Sequence, residues 1–110
     1  MVEQPKVEAG RVTGWDVGWG HSRPFAIDMA GFAVNLQRLL TRTSAKFAYK
    51  VKIGYQESEF LKHLARMDEL EPKSVGKVNV WHTQTKDVNL DREKHFQRDY
   101  QKSSDDGIEV

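Results

Sequence analysis

The sequence predicts a small mixed α/β fold: a small mixed sheet, about two helices and an extended C-terminal arm. Three observations carry that prediction. Several short runs alternate apolar and polar residues, as half-buried strands do. Two further stretches space their apolar residues at helical intervals. From Thr83 onward the chain turns polar and charged. With 110 residues, the length suits one domain with a single core.

The elements follow in order. Lys6-Val7-Glu8 and Arg11-Val12-Thr13 flank Ala9-Gly10 and read as a hairpin, with Trp15 and Val17 continuing its second strand. Gly18 to Pro24 is a loop punctuated by Gly20 and Pro24. Phe25, Ile27 and Met29 alternate with Ala26 and Asp28, which predicts a short strand. At Gly31 the period changes. Phe32, Leu36, Leu39 and Leu40 share a helical face, and that helix ends near residues 41–44. Phe47, Tyr49, Val51 and Ile53 form a strand or extended segment that Gly54 ends. Glu57 to about Met67 reads as a second helix, with Phe60, Leu61 and Leu64 as its stripe and Glu57 or Ser58 near its start. Leu70-Glu71-Pro72 closes it. Ser74 to Lys77 is a turn, and Val78-Asn79-Val80-Trp81 a strand. The pattern divides the chain into 1–82 and a polar segment, 83–110. That segment reads as an arm, a frayed helix over Asp91 to Gln101, or disorder.

Composition excludes several chemistries. Seventeen Lys and Arg against sixteen Asp and Glu leave a net charge of +1, which gives no electrostatic case for nucleic acid. Without cysteine there is no disulfide, thiolate zinc site or cysteine nucleophile. Met1 is not followed by a signal-peptide pattern, and no segment is long and apolar enough to cross a bilayer. His21, His63 and His95 lack metal-ligand spacing. No glycine-rich phosphate loop is present. Asp105-Asp106 follows two serines in the polar segment and reads as a solvated pair rather than a metal site.

Three places carry candidate chemistry. Trp19, Arg23 and Asp28 set a ring, a guanidinium and a carboxylate in one short segment. An aromatic ring suits the C–H face of a sugar, and flanking charges suit its hydroxyls. The same residues also read as an edge aromatic beside a local ion pair. Glu57 sits at the start of a helix, where a carboxylate complements the macrodipole; it is also placed to act as a general base. His82, after Val78 to Trp81, reads either as a strand-end polar residue or as a contact to a phosphate or hydroxyl.

Gly14-Trp15 through Ala33, Gly54-Tyr55-Gln56-Glu57-Ser58, Asp68-Glu69-Leu70-Glu71-Pro72 and Val80-Trp81-His82-Thr83 stand in the order found in the eukaryotic β-1,3-glucuronosyltransferases of glycosyltransferase family 43. Ile108-Glu109-Val110 is similar to that family's C-terminal end. The resemblance runs from about Glu3 to Val110, and Arg23-Pro24-Phe25 to Asp28-Met29-Ala30-Gly31-Phe32-Ala33 is its most specific run. It implies inverting transfer of glucuronic acid from UDP-glucuronic acid to the 3-hydroxyl of a terminal galactose, on a proteoglycan linker or a glycoprotein glycan. Glu57 looks like the base, and Trp19, Arg23 and Asp28 like the acceptor-galactose site. His82 looks like a contact to the UDP-sugar, and Gln84 stands beside it where the family usually has arginine.

The resemblance also implies Mn²⁺, a homodimer, and the lumenal face of the Golgi membrane, reached through an anchor this chain lacks. The metal cluster and nucleotide-binding half likewise have no counterpart here. Residues 1–82 thus read as the acceptor-binding half-domain, 83–110 as its arm, and the chain alone as inactive and marginally stable or self-associating. Gln84 puts donor binding in question, and Ser74 to Lys77 is shorter than usual and lacks a glycosylation site. A non-catalytic galactoside-binding module or a pseudogene product is the alternative.

Overall fold

Ala9 and Gly10 have φ of 49° and 74°, the left-handed pair that a two-residue hairpin turn requires. They join β1 (Gln4–Glu8) to β2 (Arg11–Asp16) in an antiparallel ladder, described in a computed structural model over residues 1–73 and 75–109. The register passes from Lys6↔Gly14 to Val7↔Val12, so Thr13 is an extra residue in β2. Such a bulge breaks the period-two alternation. Val12 is buried, and Trp15, three residues on, also packs toward the core.

Among the described residues the chain is a small mixed α/β unit with this two-stranded sheet and three α-helices, one more than expected. The helix α1 (Leu36–Thr41) begins where the Asn35 side chain accepts the Gln37 amide at 2.9 Å. Phe32 therefore lies outside the helix expected to contain it, and Leu36 and Leu40 face outward while Leu39 packs inward. The helix α2 (Gln56–Leu61) is shorter than expected. It tightens after Leu61 and is followed by a 3₁₀ turn at Met67–Glu69, where Glu69 accepts the Arg66 amide at 2.8 Å. That turn packs against β2.

Two expected strands are absent among the described residues, for one reason. A strand needs a ladder partner, and neither segment has one. Phe25 to Asp28 runs extended and ends in a 3₁₀ turn at Met29–Gly31, capped by Asp28. Val78 to Trp81 forms no ladder; the isolated bridge beside it pairs Lys77 with Glu109. Phe47 to Ile53 is likewise irregular rather than a strand. Ser74, in the expected turn, and Val110 lie outside the described residues.

The polar segment is not simply extended. It holds α3 (Asp91–Tyr100), which ends at Gln101 with φ 54°. Its Glu93 carboxylate accepts from the Ser103 hydroxyl and from the Ser104 amide and hydroxyl, and lies 3.6 Å from the Met1 ammonium. Ser104 in turn accepts the Val2 amide at 2.8 Å. These contacts return the segment to β1.

The core lies under α2. Phe25, Leu61 and Leu64 are its buried centre, with Trp15, Phe32 and Phe60 packed on it. Phe60 also stacks on Phe47 at 4.5 Å between centroids. The loop from Trp19 to Asp28 and the start of α2 thus share one core.

Candidate functional site

Phe25 has no strand partner, and its backbone polar groups are buried. One side chain satisfies both. The Ser58 hydroxyl accepts the Phe25 N–H at 3.1 Å and donates to the Phe25 carbonyl at 2.9 Å. Ser58 is 3% exposed, so this double bond is shielded from water.

A second join lies at Gly54. Its φ is +78°, and a Cβ there would collide with the Trp19 ring. Glycine thus permits both the turn and the close approach of the indole. The Arg23 guanidinium donates to the Gly54 carbonyl at 3.3 Å, to Gly20 at 3.1 Å and to Trp19 at 2.9 Å, and its carbon lies 4.9 Å from the Trp19 ring centroid. Trp19 keeps 45% of its surface in solvent. Arg23 and Asp28 do not pair with each other; Arg23 is turned to backbone oxygens. A third link joins the Ser22 and Tyr55 hydroxyls at 3.1 Å. It holds the Tyr55 phenol below its ordinary value, with Lys52 and Arg23 acting in the same direction.

These joins flank a cleft of about 600 Å³ lined by Glu57, Gln56, Met29, Phe47, Ala48 and Tyr49. Glu57 lies in the first turn of α2 and is half-buried. Gln56, beside it, ties the start of α2 to the Phe47–Tyr49 stretch by donating to the Ala48 carbonyl at 3.0 Å. Met29 follows Asp28, whose carboxylate lies 3.7 Å from His82 Nδ1. Both groups are exposed, and they attract when the imidazole is protonated. Gln84 lies beyond on the exposed stretch, where its carbonyl accepts the Lys86 amide.

Trp19 and Arg23 are therefore brought to the turn that leads into Glu57, and Asp28 to His82 and the cleft's Met29 rim. An apolar wall with a carboxylate in it and an indole nearby can hold a sugar ring and accept a hydroxyl proton. No group of three acidic or imidazole side chains that could hold a metal converges among the described residues. Asp105 is engaged by the Ser103 hydroxyl. These residues do not fit Mn²⁺.

Sequence reasoning missed Ser58 and Gly54 as parts of this site. Both stood in the Gly54-to-Ser58 block that carries the family resemblance, but Ser58 was otherwise visible only as a helix-start residue and Gly54 only as a segment end. Their roles depend on Phe25 and Trp19, about thirty positions away, which no local pattern encodes.

The sequence pattern of glycosyltransferase family 43 matches residues 1–86, a span holding every one of these side chains. The chain belongs to glycosyltransferase family 43. This family 43 chain is 51% identical over 100 residues to galactosylgalactosylxylosylprotein 3-beta-glucuronosyltransferase 2 of Rattus norvegicus, covering 88% of this chain and 31% of that protein. It is 41% identical over 114 aligned positions to galactosylgalactosylxylosylprotein 3-beta-glucuronosyltransferase I of Drosophila melanogaster, covering 100% of this chain and 37% of that protein. With galactosylgalactosylxylosylprotein 3-beta-glucuronosyltransferase 1 of Pan troglodytes the identity is 52% over 87 residues, covering 76% of this chain and 26% of that protein. The chain spans about a third of the length of the curated relatives it matches.

Proposed function

We propose that this chain supplies the acceptor site and the catalytic base for transfer of glucuronic acid from UDP-glucuronic acid to the 3-hydroxyl of a terminal galactose. The observation that carries the reading is the meeting of two distant segments. The Trp19–Asp28 segment is fastened to the Gly54–Ser58 segment, and Glu57 opens into an apolar-walled cleft beside the join. The relatives' names supply the reaction class.

In this reading, Trp19 offers its exposed face to galactose, and Asp28 accepts from a sugar hydroxyl. Arg23 steadies the indole and keeps donors free for the acceptor. Glu57 takes the proton of the 3-hydroxyl as that oxygen bonds to the anomeric carbon. The bond from that carbon to the diphosphate breaks, UDP departs with the electron pair, and the configuration inverts. The pairing of Asp28 with His82 supports a common meeting place for acceptor and donor, since His82 can offset charge on the departing diphosphate. Gln84 beside it offers an amide hydrogen bond without charge. Residues outside this chain are proposed to hold Mn²⁺ and most of the nucleotide. A homodimer, with residues 83–110 as the arm beside the acceptor half, and a Golgi lumenal setting belong to the same proposal.

NMR titration with a galactose–galactose disaccharide tests the acceptor half. The resonances of Trp19, Asp28 and Glu57 are expected to shift, and Trp19→Ala or Asp28→Ala to abolish the shifts. A disaccharide that perturbs none of them at millimolar concentration overturns the reading. Incubation of the chain with UDP-glucuronic acid, disaccharide and manganese is expected to give no glucuronide; product formation would show that the donor side is also here.

A further inference from the structure

The join between Phe25 and Ser58 has a geometry that few side chains can provide. A serine hydroxyl offers one donor and two acceptor sites on one rotatable atom. At Ser58 it uses donor and acceptor on the same residue, closing a small ring with the Phe25 backbone. In effect the side chain takes the place of a neighbouring strand. The result is a fixed separation between two backbone segments at one point.

What lies on each side of that point gives it functional meaning. Phe25 stands between Arg23 and Asp28, and Ser58 is the neighbour of Glu57. The join therefore sets how far the acceptor-side carboxylate stands from the base. The cleft crosses this gap, since Met29 and Glu57 both line it. Arg23 and Gly54 fix the Trp19 end of the segment. Ser58 fastens the segment at Phe25, three residues before Asp28.

We propose that Ser58 is a positioning residue: it holds the Phe25–Asp28 segment in register with Glu57, so that a bound galactose presents its hydroxyl to the base. The proposal rests on the acceptor-site reading given above. Displacing a catalytic group by about an ångström costs on the order of a hundredfold in rate, so this single hydroxyl controls both acceptor affinity and alignment without touching the sugar.

The test compares Ser58→Ala with Ser58→Thr, which retains the hydroxyl, in the chain as it stands. Three readings are taken: Phe25 amide exchange, the Met29 methyl resonance, and disaccharide affinity by NMR titration. The alanine variant is expected to exchange Phe25 at least about tenfold faster, to move the Met29 methyl, and to bind at least about tenfold more weakly. The threonine variant is expected to restore all three. If alanine unfolds the chain, Ser58→Cys carries the comparison, because it fills the same space with a weak donor. A folded alanine or cysteine variant that binds the disaccharide as well as the parent overturns the proposal, whatever happens to its melting temperature. If the parent itself binds no disaccharide, the acceptor-site reading fails. The positioning claim, which rests on that reading, then fails with it, and a moved Met29 methyl shows only that Ser58 sets the place of the Phe25–Asp28 segment.

Discussion

The Trp19–Ser58 region and the segment after Thr83 are held by different kinds of contact. In the first, distant segments meet through close-fitting partners, of which the first pair is buried: a serine hydroxyl on a phenylalanine backbone, a guanidinium on a glycine carbonyl, an indole on a bare Cα. In the second, a ten-residue helix with no buried residue is tied back through Glu93 and two serines. The first arrangement allows one geometry. The second is a local polar clasp that can open without disturbing the core. Chemistry that needs fixed distances belongs on the first.

Breaking the core should separate the two regions most sharply. Leu64 is 1% exposed, and Leu64→Ala should cost about 3 kcal/mol in urea unfolding. Amide exchange around Glu93 should hardly change, because the clasp opens by itself below the global unfolding energy. Equal acceleration in both regions would show one cooperative unit instead. Gly54→Ala comes next. A side chain at φ +78° facing the Trp19 ring should cost about 2 kcal/mol and release the indole. Titration should then show weaker disaccharide binding, whereas an unchanged Trp19 indole resonance would refute the close contact.

Acid should open the clasp first. The Ser104 and other hydrogen bonds hold the Glu93 carboxyl at about 2 rather than 4.5. A depressed carboxyl stabilises the fold fully above its unfolded value and loses that contribution as pH falls toward the folded one. Ser104 amide protection should therefore decline between roughly pH 4.5 and 2, ahead of Phe25, whose partner is a hydroxyl that does not titrate in that range. Loss of Phe25 protection before Ser104 would reverse the comparison. The smallest effect is expected at Lys77→Ala. The Lys77–Glu109 pair at 2.9 Å is exposed, and its removal should change unfolding by no more than about 0.5 kcal/mol.

The sequence revealed the residue types better than the frame that holds them. The hairpin was legible because Ala9-Gly10 between alternating runs is a local signal. So was α3, as one of three readings of its segment. The strands expected at Phe25 and Val78 were not formed, because alternation reports a half-buried segment and does not supply a partner. The candidate site shows the same limit. Trp19, Arg23, Asp28 and Glu57 stood out by chemistry. Ser58 and Gly54 did not, since their meaning lies in what approaches them from thirty residues away.

Thr13 has a consequence of another kind. Its side chain is exposed, and its role in β2 is to be the extra residue in the register. Most replacements there should be silent. Loss of the codon would remove the local bend and twist that the bulge gives β2. It would not change the faces: Trp15 would stand two residues from Val12, still on its side of the ribbon. Its indole now donates to the Pro24 carbonyl at 3.2 Å, at the threshold of Phe25. At this position the gene sets the bend of a strand, not the face its neighbours present.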